Sequence, residues 1–242
     1  MRRTRGVVLA GGSGSRLYPL TKTTNKHLLP VGDVPMVYHP VRRLVEAGIE
    51  DVLVVTGVDH VGAIVNQLGS GAEFGCRFSY KVQDRAGGIA EALGLAEDFA
   101  SGGRTVVVLG DNVFDAPLAP HIAAWEASGK SAMILLKSVA DAERFGVARF
   151  EAGQLVEVVE KPGTPPSTFA VTGVYCYDDS VFDVVRTLVP SARGELEISD
   201  VNTALIREGK MAWAELSGFW SDAGTPESYR RANEWLRRST IK

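Results

Sequence analysis

Short runs of β-branched residues recur along this chain, with longer segments of helical period between them, and that alternation restricts the fold more than any other feature. Residues 6–10, 51–57 (DVLVVTG), 78–83, 105–110 (TVVVLG) and 132–137 have the length and composition of strands. Residues 35–47, 60–68, 89–100 and 119–128 carry apolar residues at helical spacing, and Gly48 stands where a helix C-cap would. Strand followed by helix, repeated, implies right-handed crossovers and a mostly parallel sheet flanked by helices, a Rossmann-like α/β fold. The unbroken apolar runs predict strands buried on both faces. After about residue 140 the pattern changes. Residues 147–151, 154–160 and 172–177 read as strands separated by Gly, Pro and Ser, and 182–188 as a helix, so extra antiparallel strands are expected on the same sheet. The stretch Gly163-Thr-Pro-Pro-Ser167 is a loop, too short to separate domains. Residues 228–238 are an amphipathic helix. One domain over 1–242 is expected.

The chain has 242 residues, 45% of them hydrophobic, enough to bury a core. The formal net charge of −3 speaks against nucleic acid or an anionic membrane as partner, though a locally positive pocket is compatible with it. Cys76 and Cys176 form no metal-type pair and read as buried thiols in a reducing compartment. The basic start, Met1-Arg-Arg-Thr-Arg5, imitates a signal peptide. The apolar stretch behind it is short and runs into glycines, and no apolar run reaches membrane-spanning length. A soluble cytoplasmic protein is the expectation.

Three segments carry chemistry. Leu9-Ala-Gly-Gly-Ser-Gly-Ser-Arg-Leu17 lies where the first strand ends, the side of an open α/β sheet on which ligands bind. Glycines 11, 12 and 14 permit a tight turn that brings N–H groups to phosphate oxygens, and Arg16 adds a fixed guanidinium fork. The spacing G-G-x-G-x-R is neither the P-loop nor the dinucleotide fingerprint, and alone it is equally compatible with a structural turn. Thr24-Asn-Lys-His-Leu-Leu-Pro30 offers Lys26 as a point charge for the same phosphates, with His27 beside it as a structural imidazole. Val106-Val-Val-Leu-Gly-Asp-Asn112 ends a buried strand on Asp111, well placed to hold Mg²⁺, and Trp220-Ser-Asp222-Ala-Gly-Thr225 supplies a second carboxylate. Two carboxylates, an Arg and a Lys are what phosphoryl transfer requires: a metal, charge neutralisation and positioning.

Together these segments resemble the sugar-1-phosphate nucleotidyltransferases over nearly the whole chain and in order. Residues 9–16 and 25–30 resemble the two signature loops, and Val82-Gln83 with Gly87-Gly88-Ile-Ala90 the base-binding stretch. Gly110-Asp111-Asn112 resembles the metal site. Arg144-Phe145-Gly146-Val147, Glu160-Lys161-Pro162, Ala170-Val-Thr-Gly173, residues 193–202 and Asp222-Ala-Gly-Thr225 resemble the sugar-phosphate side. The resemblance implies a nucleotide-diphospho-sugar transferase fold, with 1–140 as the nucleotide-binding part and 141–242 as the sugar-phosphate part plus the C-terminal helix. It implies Arg16, Lys26 and Asp111 as catalytic, and Leu9, Gly11, Gly12, Gly14, Gln83 and Gly88 as nucleotide-binding. Gly146, Glu160, Lys161, Val171 and Arg193 would hold the sugar phosphate, and Asp111 and Asp222 the Mg²⁺. The implied substrates are dTTP or UTP and a sugar 1-phosphate, glucose 1-phosphate foremost, with pyrophosphate released. A homo-oligomer is compatible. Phe145 stands where the family often has Tyr, and the chain ends soon after Glu234-Trp-Leu236, like the short form of the family, without the segment that builds an allosteric site in longer members. Other readings are uridylyl or guanylyl transfer, another sugar, or a catalytically silent sugar-nucleotide-binding regulator.

Overall fold

A computed structural model describes residues 3–12 and 14–240. In chain order the elements are β1 (Thr4–Ala10), the short β2 (Pro30–Val31) and β3 (Val34–Pro35), α1 (Tyr38–Glu46), β4 (Asp51–Gly57), α2 (Val61–Leu68) and β5 (Arg77–Gln83). Then come α3 (Ile89–Gly94), α4 (Glu97–Ala100), β6 (Arg104–Leu109), β7 (Val113–Phe114), α5 (Ala119–Ser128) and β8 (Ala132–Ser138). The remainder is β9 (Gly146–Glu151), β10 (Gln154–Glu160), β11 (Phe169–Asp178), α6 (Val181–Thr187), α7 (Ile198–Arg207), β12 (Met211–Glu215), β13 (Trp220–Ser221) and α8 (Pro226–Thr240).

Nine strands form one sheet in the order β10-β9-β11-β6-β1-β4-β5, with β8 also on β11 and β12 beyond β8. Strands β6, β1, β4 and β5 run parallel, as the strand–helix alternation predicts. Strand β11 is antiparallel to β6, β8 and β9, and β10 to β9, which is the expected antiparallel addition. Successive residues of β1 face opposite cores. Val7 and Leu9 belong to the one closed by α3, α6 and α7, and Val8 and Ala10 to the one closed by α1, α2 and α5. A smaller core of Leu17, Leu29, Val31, Met36, Val113, Ala223 and Ala232 seats α8.

Some boundaries differ from expectation. The helix expected over 89–100 is two, because the Ala96 N–H turns back to the Leu93 carbonyl at 2.8 Å and the regular ladder stops. The helix expected from 35 begins at Tyr38, since the N–H groups of Met36 and Val37 are taken by the carbonyls of Leu29 and His27. Helix α7 and strand β12 were not expected. Helix α7 has a readable stripe, Ile198, Val201 and Leu205, all buried, obscured by its Ser, Asp, Asn and Thr. Among the described residues, no helix is long and apolar enough to cross a membrane.

Candidate active site

The four parallel strands release their C-terminal ends on one rim, and the ends of β1, β5 and β6 supply part of a double cavity. After β1 the chain turns through Gly11 and Gly12 into a single 3-10 turn, Ser15–Leu17, that carries Arg16. Gly14 opens this turn at φ 63°, and a Cβ there would lie 2.9 Å from the Thr21 side chain, so the position admits neither the conformation nor the volume of another residue. Arg16 is exposed and makes no hydrogen bond or ion pair among the described residues. Beside it, β6 ends at Leu109, and the Gly110 N–H bonds the Leu9 carbonyl at 2.8 Å, which fixes Asp111 against the glycine loop.

One cavity, of about 890 Å³, is lined by Leu9, Gly11, Gly12, Gln83, Gly88, Lys26 and neighbours. The other, of about 660 Å³, is lined by Gly146, Glu160, Val171, Asp222 and neighbours. Arg16, Asp111 and Lys161 line both, so the cavities meet at two cations and a carboxylate.

Both carboxylates proposed for a metal are already held by cations. Lys26 Nζ lies 2.5 Å from Asp111 Oδ2, and Asn112 Nδ2 donates to Asp111 Oδ1 at 3.1 Å. Burial alone would push the Asp111 carboxyl up. The Lys26 ammonium and these hydrogen bonds outweigh it and hold the group below its ordinary value, so it stays ionised. Arg144 bridges Asp141 Oδ2 at 2.6 Å and Asp222 Oδ2 at 2.7 Å, with its guanidinium over the Phe145 ring at 4.9 Å. The short ribbon of β7 and β13 pairs Val113 with Ser221, which brings Asp222 opposite the Asp111–Asn112 turn. Its register is tied by the Trp220 indole N–H, which donates to Asn112 Oδ1 at 2.6 Å and to the Thr172 carbonyl at 2.9 Å.

The donor set fits a magnesium ion. Among the described residues Asp222 Oδ1 is buried with no hydrogen-bond partner, an orphaned acceptor that a cation would satisfy. A Cβ on Gly224 would lie 3.3 Å from Asp222 Oδ2 and 3.5 Å from Asp111 Oδ2, so both carboxylates face one small volume. Among the described residues no group of three or more His, Cys, Asp or Glu side chains gathers as a metal cluster. Magnesium needs none when one or two carboxylates are completed by substrate phosphates.

Of the residues singled out in the sequence, two lie apart from the cavity walls. Gly14 shapes the loop without lining either cavity, and Arg193 lines neither. The Arg193 guanidinium is engaged by Glu197 Oε2 at 2.8 Å, Glu160 Oε1 at 3.2 Å and Glu195 Oε2 at 3.3 Å. It steadies Glu160, whose other oxygen accepts from Ser199 Oγ at 2.6 Å. The lining residues without an assigned role from the sequence include Arg144, Tyr175, Ser199 and Trp220. Burial pushes the Tyr175 phenol up, so it remains a neutral hydroxyl in the wall.

Residues 5–239 match the Nucleotidyl transferase family. The chain is 40% identical over 237 residues to a glucose-1-phosphate thymidylyltransferase of Neisseria gonorrhoeae, covering 96% of this chain and 82% of that protein. A crystal structure of a provisionally assigned glucose-1-phosphate thymidylyltransferase from Bacillus anthracis, in complex with sucrose, superposes with a TM-score of 0.93 at 52% identity, over 97% of this chain and 95% of that one. A UDP-glucose pyrophosphorylase complexed with UDP-glucose superposes with a TM-score of 0.87 at 25% identity, over 99% of this chain and all of that one. The double cavity at the strand ends and these likenesses agree, and the chain belongs to the nucleotidyl transferase family.

Proposed function

We propose that the protein transfers thymidylate from dTTP to glucose 1-phosphate, giving dTDP-glucose and pyrophosphate. The observation that carries this reading is the meeting of two cavities at Arg16, Asp111 and Lys161. In-line transfer needs a nucleoside triphosphate and a second phosphate side by side, with cations between mutually repelling anions. The nucleoside lies along Leu9, Gly11, Gly12, Gln83 and Gly88, and the sugar along Gly146, Glu160 and Val171. Among the described residues Arg16 has no partner to release, so it takes phosphate charge without breaking an ion pair there. Lys26 and Lys161 hold the remaining phosphate charge. The attacking oxygen belongs to a phosphate that is already anionic, so no general base is required. Asp111 and Asp222 are the residues that would hold Mg²⁺, which when bound neutralises the charge building on the departing pyrophosphate. Arg193 acts through Glu160 in this reading. This reading places the protein in the cytoplasm.

Pyrophosphate release by the purified protein, followed with a panel of nucleoside triphosphates and sugar 1-phosphates, tests the proposal. Release with dTTP and glucose 1-phosphate, lost in Asp111→Ala, is the expected result. A strong preference for UTP would replace the thymidylyl assignment by a uridylyl one, and no release with any pair would leave a binding protein.

A further inference from the structure

The Gln83 side chain is fixed in one of its two amide orientations. Its Nε2 donates to the Gly88 carbonyl at 3.2 Å and to Glu91 Oε1 at 3.0 Å. Both partners only accept, one as a carbonyl and the other as a carboxylate, so the NH₂ end alone can face them. The Gln83 carbonyl oxygen is turned the other way, towards Gly11, where a Cβ would lie 3.2 Å from it. Gly11, Gln83 and Gly88 line the same cavity. Among the described residues nothing donates to Gln83 Oε1, and the Gly88 N–H is also without a partner. That wall therefore offers one acceptor and one donor. Glu91, on the first turn of α3, is itself held by Arg85 Nε on Oε2 at 3.1 Å.

We propose that Glu91 sets base specificity by locking the Gln83 amide. With its carbonyl presented, Gln83 accepts from a ring N–H, and the Gly88 N–H donates to the neighbouring carbonyl. Thymine and uracil have that pattern in N3–H and O4. Cytosine has the reverse, an accepting N3 beside a donating amino group, and so does adenine on its N1 edge. A buried hydrogen-bonding group left facing its own kind rejects the wrong ligand more strongly than lost contact area does. Glu91 is thus a positioning residue, acting through Gln83. The inference rests on the nucleoside lying along this wall.

The test is calorimetric binding of dTTP and dCTP to the full-length protein, wild type and Glu91→Gln. A glutamine at 91 can donate as well as accept, so it frees the Gln83 amide to turn over. The wild type is expected to prefer dTTP by about a hundredfold, and Glu91→Gln to lower that ratio by about tenfold, through weaker dTTP and tighter dCTP binding. Glu91→Ala, which leaves only the Gly88 acceptor, is expected between the two and decides the matter if Glu91→Gln does not fold by its melting curve. A merely structural role would weaken both nucleotides alike. An unchanged ratio in a folded variant, or equal binding of the two nucleotides by the wild type, overturns the proposal. Binding with the expected ratios but without turnover would remove the transferase reading and leave this one standing. Turnover with an unchanged ratio would do the reverse.

Discussion

The two cavities are built in different ways. The nucleotide wall is made largely of backbone at strand ends: Leu9, Gly11, Gly12 and Gly88, with the Gln83 amide locked behind it. The sugar wall presents side chains, Arg144, Asp222 and Glu160 among them, that are held by ion pairs: Arg144 lies between Asp141 and Asp222, and Arg193, behind the wall, ties Glu160 to Glu195 and Glu197. A backbone wall depends on conformation, so it fails when a glycine is replaced. A side-chain wall depends on charge balance, so it fails when one member of a network is removed. The two meet at Asp111, where both kinds of failure should converge.

The largest effect is therefore expected at that junction. Asp111→Ala removes a carboxylate lining both cavities and leaves the nearly buried Lys26 without its partner. Pyrophosphate release should fall by about a thousandfold or more, the scale of losing a transition-state charge contact. A loss below tenfold would mean that the cavities do not function as one site. Next, the backbone wall is challenged by Gly88→Ala. Gly88 sits at φ 101° and ψ 171°, a region open to glycine alone, and a Cβ there would collide with the Leu196 carbonyl. Thermal or denaturant unfolding should show a loss of about 3 kcal/mol. A variant as stable as the wild type would show that this loop yields, and that the nucleotide wall is not a rigid backbone surface.

The same difference decides what a single sequence reveals. The nucleotide side is written in local words. Residues 9–16, Gln83 and Asp111 each lie at or just past the end of a predicted strand, with Gly88 and Lys26 in the loops that follow, so turn chemistry and a parallel sheet place them on one rim without knowledge of packing. The sugar side depends on contacts between distant residues. The Trp220 indole reaches Asn112, 108 positions away, and no spacing announces it. Arg144 left a weak signal in Asp141, three residues earlier, but its second partner, Asp222, becomes its neighbour only when β13 pairs with β7. Arg193 was marked only by the family resemblance, and what the sequence could not say is that three glutamates already occupy it. The mostly parallel sheet and its antiparallel extension were readable because period and apolar runs are local. Helix α7 was hidden because its buried Ser199, Asn202 and Thr203 disguise the stripe.

Charge balance on the sugar side is probed by Arg193→Gln. The Glu197 side chain is only 8% exposed and would lose its counter-charge, with Glu160 and Glu195 close by. Because Arg193 is 40% exposed, screening moderates the cost, and a stability loss of about 2 kcal/mol is expected. Kinetics should separate the walls further. The KM for the sugar phosphate should rise by about tenfold as Glu160 loses its hold, while the KM for dTTP should change by less than about twofold. Equal rises in both would mean that Arg193 serves the two cavities alike.

The smallest effect sharpens the comparison through pH. All four histidines lie before residue 140, and His27 is the one buried beneath the nucleotide wall. Burial, with the Lys26 charge next, lowers its pKa from 6.5 to about 3, so it is neutral in the folded protein at every working pH. In the unfolded chain it gains a proton near its ordinary value. Between those two values the unfolded state binds more protons, so stability is full above pH 6.5 and is lost as pH falls towards 3. His27→Gln should be less stable than the wild type at pH 7, since the imidazole contact with Asn25 Oδ1 at 2.7 Å is altered, yet its melting temperature should fall less steeply between pH 6 and pH 4. Parallel curves for the two proteins would mean that the acid sensitivity belongs to the carboxylate networks of the sugar wall, and that the nucleotide wall rests on backbone alone.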